Sequence, residues 1–447
     1  MSRIDHAPWR SVLGAGALAA LLALGACGER GQHSAEPAPA GAPAQPSADT
    51  APAARGLDAS AVARLDETLA ALAASQDRSG YVAVIARDGI VQHVSAAGYA
   101  DVEAGIPMRA DTVVRIASMS KPVTAAAILI LAEDGALSVS DPVSDYIPAF
   151  ASARVATQLM HDGNFEIPTE PLARAITIED LLTHTSGVGY LFDYQTHLGA
   201  LYIDRDIYRA DDRPLEDRIN SLAGIPLYFQ PGERWFYSYS NDILGQVIAV
   251  ASGQSVEAFM QARLFQPLGM TDTSFFPDEA RRQRLAALYT HDEDGALVHV
   301  ARQRDLAVLA HVEAGGAGLF STADDYLRFA LMLANGGELD GVRVLSPDNV
   351  AAMVTPHVGL DRMGEDQRRI GLGFGYSVGV SVNEDGGRRT GDFGWGGYFD
   401  TAFVVSPATG VTAVIMAQEE PGPGTRDTTS AGAVLQSQLA GLVPTES

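Results

Sequence analysis

The pattern of apolar and polar positions divides the chain into strand-like ends and a helix-like middle. Residues 61–74 carry apolar positions at helical spacing, and residues 81–87 and 90–95 read as two strands joined across Asp88-Gly89, a strong hairpin signal. Residues 112–116 lead into an Ala/Ile/Leu-rich run that begins at Ser118 and ends around Glu133-Asp134-Gly135. From about 137 to 300 the pattern becomes short helices and long loops, with helical stretches at 176–182, 243–251 and 256–264. A glycine loop from Gly315 precedes a further helix, for which Thr322 is the expected N-cap. Strands return at 373–380, 401–406 and 411–418, and a last helix is expected over 428–442. The predicted class is therefore α/β in the α+β sense. One antiparallel sheet draws on both chain ends, helices flank it, and a mostly helical subdomain is inserted over about 137–300.

The N-terminal residues follow a different logic. Arg3 and Arg10 precede an apolar stretch over 11–26, and Leu24-Gly25-Ala26-Cys27 follows. This resembles a bacterial lipoprotein signal, in which Cys27 is lipidated and becomes the mature N-terminus. The apolar stretch is shorter than the roughly 20 residues that span a bilayer, so a leader over 1–26 is expected rather than a retained helix. An ordinary secretory leader cut near Ala26 is the alternative. Residues 27–56 are rich in Ala, Pro, Gly, Ser and Gln, cannot build a core, and read as a disordered tether. The folded domain is expected over 57–442.

Charge narrows the function classes. The formal net charge is −24, which opposes nucleic acids and anionic membrane surfaces as partners. The only membrane contact expected is through the lipid on Cys27. A single cysteine excludes an internal disulfide. Among 31 basic residues, Lys121 is the only lysine. Arginine cannot be deprotonated in a protein, so the one titratable amine is the informative one. It lies three residues after Ser118, at the start of the apolar helical run, where i and i+3 side chains share a face. A serine hydroxyl needs a base beside it. A lysine serves as that base where burial or positive potential, such as a helix N-terminus, lowers its pKa. Ser118 is the expected N-cap, and Pro122 falls in the first turn, where its missing N–H costs little.

Three boxes in order, Ser118-x-x-Lys121, Tyr239-Ser240-Asn241 and Trp395-Gly396-Gly397, resemble the serine β-lactamase and penicillin-binding-protein superfamily. The likeness is closest to the class C β-lactamase branch and the family VIII carboxylesterases, and the stretches 181–187, 231–241, 265–275 and 315–326 extend it. The resemblance implies a β-lactamase/transpeptidase-like fold and an acyl-enzyme on Ser118, with Lys121 and Tyr239 sharing the general-base work. It also implies that Asn241 orients polar groups of the substrate. By the same resemblance, the backbone N–H groups of Ser118 and Tyr398 would form the oxyanion hole, and Trp395, Gly396 and Gly397 would line the substrate. No metal or organic cofactor is implied. His184 is expected to build a turn rather than to act in catalysis, and the acidic run from His291 to Gly295 is expected to be a solvated hairpin.

The leading expectation is an exported serine hydrolase that cleaves small carboxylic esters. The alternatives are a β-lactamase or D-alanyl-D-alanine carboxypeptidase acting on amides, and a non-catalytic penicillin- or cell-wall-binding lipoprotein. The third box carries no cation to hold a substrate carboxylate. The nearest substitute is Arg389-Thr390-Gly391, six residues upstream, and an even register shift would keep its side chains on the same face.

Overall fold

Eight antiparallel strands form the central sheet of this computed structural model: β1 (Gly80–Arg87), β2 (Ile90–Asp101), β3 (Ile106–Pro107), β4 (Leu372–Phe374), β5 (Gly379–Ser381), β6 (Phe393–Gly397), β7 (Thr401–Ser406) and β8 (Val411–Met416). Their spatial order is β4-β5-β6-β7-β8-β1-β2-β3, so the two chain ends meet where β1 pairs with β8, with Val82 opposite Met416. The structure describes residues 55–444 apart from 76, 161–166, 210, 301–311, 385–387, 423–429, 431, 433 and 436–438. Cys27, the leader expected over 1–26, nearly all of the tether expected over 27–56 and seven of the fifteen residues of the helix expected over 428–442 lie outside the described residues.

Strand β1 shows how one stretch serves two cores. Tyr81, Ala83 and Ile85 face helix α1 (Ala59–Ala74), meeting Ala61, Leu65 and Leu69. Val82, Val84 and Ala86 point the other way, into the main core. The side-chain period of two does this sorting. The β1–β2 turn has φ of 52° at Asp88 and 79° at Gly89, the two positive values that a tight hairpin with right-handed strand twist needs.

Helix α2 (Ser120–Glu133) crosses the main core, and every residue from Ser120 to Leu131 is buried. A helix that is apolar all round has no surface to show water. Helix α3 (Ile178–Leu182) opens with a capping box between Thr177 and Asp180. Helix α4 (Ser240–Ser252) packs against both α2 and α3. Helix α5 (Ala323–Ala334) begins as expected, with the Thr322 hydroxyl accepting from the Asp325 N–H, and packs on β8.

Three expectations are corrected. Ser118 is not the N-cap of α2: it lies in a 3₁₀ turn, Ala117–Met119, and the helix proper starts two residues later behind Met119. The reason is that the backbone is already helical at Ile116 and Met119, leaving no extended residue to cap from. Residues 373–380 are not one strand but the hairpin β4–β5, because Ser377 takes φ of 59° and Gly375 N–H bonds back to the Val378 carbonyl at 2.9 Å. The helical stretch at 256–264 is an α-helix, Val256–Met260, that widens into a π turn, Gln261–Phe265. The middle of the chain also holds two small hairpins, Arg154–Ala156 with Thr169–Pro171 and Tyr289–His291 with Leu297–His299. In the second, Asp292 accepts from the N–H groups of Asp294 and Ala296, so the acidic run closes its own turn.

Candidate active site

The approach to Ser118 is pinned before the turn is made. Val114–Arg115 pair with Phe320–Ser321, Ile116 N–H donates to the Leu319 carbonyl at 3.1 Å, and Arg115 N–H donates to Gln418 at 2.8 Å. Ala117 then takes φ of 43°, a left-handed conformation unfavourable for a residue with a Cβ. Such strain persists only where the surroundings over-determine it. The turn presents Ser118 half-buried at a cavity that Tyr237, Trp395 and Tyr398 also line.

One turn on, Lys121 is completely buried. Its Nζ lies 3.2 Å from Ser118 Oγ and donates to the Gly316 carbonyl at 2.8 Å. It also stands over two aromatic rings, Tyr237 at 4.6 Å and Tyr190 at 5.5 Å from their centroids. Among the described residues, no carboxylate lies within ion-pair distance of it. The amine thus stands within hydrogen-bond distance of the Ser118 hydroxyl.

The second box departs from expectation. The Tyr237 ring, half-buried, meets Lys121 on one side, His184 at 4.9 Å and Trp395 at 5.8 Å. Tyr239, two residues later, turns into the core at the entrance of α4, where its ring meets Tyr190 at a tilt at 4.5 Å and Tyr208 edge-on at 5.6 Å. Burial first, then Asp206 and Asp242, pushes its hydroxyl pKa well above the usual 10. The tyrosine beside the lysine is therefore Tyr237. Asn241 is also displaced from its expected place. It is fully buried and donates to Ser377 Oγ at 2.8 Å and to the Lys121 carbonyl at 3.2 Å, which anchors the start of α2 rather than lining the cavity.

The third box sits where the sequence expects it, on β6, with Gly394, Trp395, Gly396 and Gly397 opposite Val404, Phe403, Ala402 and Thr401. The Trp395 indole packs against Phe374 at 5.2 Å and closes the cavity wall. Gly396 is exposed on that wall. Gly397 has a different use from the one expected: a Cβ there would collide with the Ile116 carbonyl and the Thr401 hydroxyl. Only glycine lets the strand run against the nucleophile's own turn. That contact sets Gly397, the residue before Tyr398, against Ile116, two residues before Ser118. The alternative triplet is decided by register. Arg389 lies in the turn before β6, its N–H on the Asp392 carboxylate at 2.8 Å, while Gly391 N–H bonds the Ser381 carbonyl. The cation that does line the cavity, Arg388, sits at the Asp392 end of β6, about 13 Å of strand from Gly397.

His184 is buried with φ of 54°, its Nδ1 is 2.9 Å from Ser238 Oγ, and burial followed by the Lys121 charge holds its pKa well below 6.5. It supports the Tyr237 ring as part of a turn. Sequence reasoning missed Tyr190, Tyr208, Asp242 and Gly316, which surround Lys121 from beneath. Asp242 directly follows the second box, and Tyr190 follows the turn from His184 to Gly187, so proximity to those boxes was the available signal.

Comparison with known proteins agrees with this architecture. The profile of the family described as Beta-lactamase matches residues 65–436. The chain is 35% identical over 385 residues to esterase EstB of Burkholderia gladioli, covering 80% of this chain and 90% of EstB. It is 32% identical over 320 residues to lovastatin esterase of Penicillium rubens, covering 65% of this chain and 75% of that enzyme. Among solved structures, EstCE1, a hydrolase with promiscuous acyltransferase activity, superposes with a TM-score of 0.69 at 26% identity, over 85% of this chain and 99% of its own. Simvastatin synthase from Aspergillus terreus, at 21% identity and a TM-score of 0.73, shares the fold. With its sheet closed by both chain ends and its lysine in the first turn of the central helix, three residues after the serine, the chain belongs to the beta-lactamase family of serine hydrolases.

Proposed function

We propose that this protein hydrolyses carboxylic esters of small molecules through an acyl-enzyme on Ser118. The observation that carries the reading is the position of Lys121, with its Nζ between Ser118 Oγ and the Tyr237 ring and without a carboxylate partner among the described residues. Lys121 and Tyr237 accept the Ser118 proton as a unit. Ser118 Oγ attacks the ester carbonyl, and the N–H groups of Ser118 and Tyr398 stabilise the oxyanion, each such donor typically contributing about 3 kcal/mol. Collapse expels the alcohol, which takes the proton back, and water repeats the sequence on the acyl-enzyme. Tyr237 takes the role that the sequence pattern assigned to Tyr239.

Esters are favoured over β-lactams and cell-wall peptides by what faces the nucleophile. The wall nearest Ser118 is Trp395, Tyr237 and Tyr398, while Arg388 stands at the other end of β6. The named activities of EstB and lovastatin esterase support the same choice. Intact-mass measurement after exposure to p-nitrophenyl esters and to penicillins tests it: an acyl adduct from the ester that is absent in Ser118→Ala is expected. Rapid turnover of a cephalosporin with no ester adduct would move the protein to the β-lactamase side.

We further propose export and lipid anchoring at Cys27, supported by the basic-then-apolar pattern over 1–26. Stable anchoring takes more than one acyl chain, as in a mature lipoprotein. Cys27→Ser is expected to move the protein from the membrane to the soluble fraction, and a parent protein already soluble after export would favour the ordinary leader.

A further inference from the structure

Beneath Lys121 five groups close a ring. Lys121 Nζ donates to the Gly316 carbonyl at 2.8 Å, and the Gly316 N–H donates to Asp242 Oδ1 at 2.9 Å. Asp242 Oδ2 accepts from the Tyr208 hydroxyl at 2.9 Å. That hydroxyl is 3.0 Å from the Tyr190 hydroxyl, and the Tyr190 ring faces back onto Lys121 Nζ. Lys121 and Asp242 are both completely buried. The glycines are what let the ring close: a Cβ at Gly315 would collide with the Asn241 carbonyl, and one at Gly316 with the Asp242 carboxylate. Thr124 of α2 ties the same loop down by donating to the Gly315 carbonyl at 2.7 Å. The ester-hydrolysis mechanism uses none of Asp242, Tyr208 or Gly316 directly.

We infer that Asp242 is a positioning residue for the acylation step: through Gly316 on one side and the Tyr208–Tyr190 pair on the other, its carboxylate holds Lys121 over Ser118. The inference rests on the esterase reading of the same site. Its geometry requires the ionised form, because both carboxylate oxygens accept hydrogen bonds and a proton on either would displace a donor. Burial, against the opposing pull of Lys121, raises the Asp242 pKa to about 6. Activity is therefore expected to fall as pH drops through about 6. The groups facing Asp242 and its ring do not share that window by design. The hydroxyls of Tyr190, Tyr208 and Tyr239 are pushed well above 10, and His184 is held well below 6.5. Asp206, raised from 3.8 by burial, is the one neighbour that needs a control.

The sign for stability runs opposite to that for activity. An acid whose folded pKa is raised binds its proton more tightly when folded, so its contribution is present below about 3.8 and lost as pH rises through about 6. At pH 7.5 the carboxylate is thus held at a cost to the fold, which asparagine would remove. Asparagine can accept from Gly316 N–H with Oδ1, so the fold is kept, but its Nδ2 cannot accept from Tyr208, and the reversed bond turns the Tyr208–Tyr190 pair that bears on Lys121.

The test compares the parent, Asp242→Asn and Asp206→Asn in three measurements. These are the rate of Ser118 acylation by a p-nitrophenyl ester by intact mass, kcat/KM from pH 5 to 9, and Tm at pH 7.5. Asp242→Asn is expected to keep or raise Tm, to lose at least tenfold in acylation at pH 8, and to lose the acid limb near pH 6. Asp206→Asn is expected to keep that limb. Parent-like acylation in Asp242→Asn, an unmoved acid limb, or a Tm loss without a change in the limb would each overturn the positioning role. Absence of a Ser118 adduct in the parent itself would overturn the esterase reading, and this inference with it.

Discussion

Lys121 and Arg78 are both buried cations, yet the protein surrounds them in opposite ways. Arg78 Nε is shared by two carboxylates, Asp400 at 2.8 Å and Glu419 at 2.9 Å, and Glu419 also accepts from Ser79 N–H at 2.6 Å. Lys121 has a hydroxyl, a carbonyl and two ring faces, with its nearest named acid, Asp242, one residue removed through Gly316. The first arrangement satisfies a charge that can never be given up and so fixes a corner of the sheet. The second leaves an amine with no carboxylate directly on it among the described residues. A buried charge paired directly is architecture; a buried charge held at arm's length from its counter-charge is chemistry.

The difference can be broken most severely at the nucleophile. Ser118→Ala should abolish the acyl adduct, and Lys121→Arg should lose about a thousandfold in kcat/KM although charge is kept, since general-base work typically contributes 10²–10⁴-fold. Single-turnover ester kinetics measure both, and near-parental turnover in Lys121→Arg would end the general-base assignment. At the other cation the loss should appear in folding instead. Arg78→Leu removes the cation shared by Asp400 and Glu419, and breaking a buried pair in this way typically costs about 3–5 kcal/mol, read by urea unfolding. Its folded fraction should acylate Ser118 at the parent's rate.

Finer tests sharpen the same contrast. Tyr237→Phe should cost about a hundredfold in kcat/KM, within the usual range for an acid–base group, while Tyr239→Phe should cost less than about threefold. The reverse ranking would restore Tyr239 to the site. The smallest effect concerns Glu419, whose pKa burial raises to about 8 despite Arg78. Its contribution to stability is fully present below about 4.5 and lost as pH rises through about 8. A Tm profile from pH 5 to 9 should therefore decline in the parent and flatten in Glu419→Gln.

The parts of this site legible in the sequence were those set by local spacing. A separation of three residues at the head of a helical run was enough to predict Lys121 beside Ser118, and the hairpin periodicity of the two ends was enough to predict a shared sheet. The Trp395 wall was legible because a strand with two glycines declares its own openness. What escaped was anything decided by which way a residue turns at a junction. Tyr237 and Tyr239 are both aromatic in the same short segment, and only the entry angle of α4 decides which one meets the lysine. Ser118 looked like a cap because its chemistry suits one, but the positive φ at Ala117 is imposed by pairing with residues around 320. Asn241 shows the same limit: its type matched the pattern, while its direction was set by Ser377.

The seam between β1 and β8 carries a consequence for how the protein comes into being. Val82 finds Met416 only after nearly the whole chain has been made, and Gly397 reaches Ile116 only then. Such distant pairings are slow to find, because a long loop must close before any contact rewards it. A nascent chain therefore carries its serine and lysine from early on without the Trp395 wall and without the strand that runs against the serine's turn. The last strands to emerge act as the switch from inert polypeptide to hydrolase, and a chain cut short before β6 should be chemically silent.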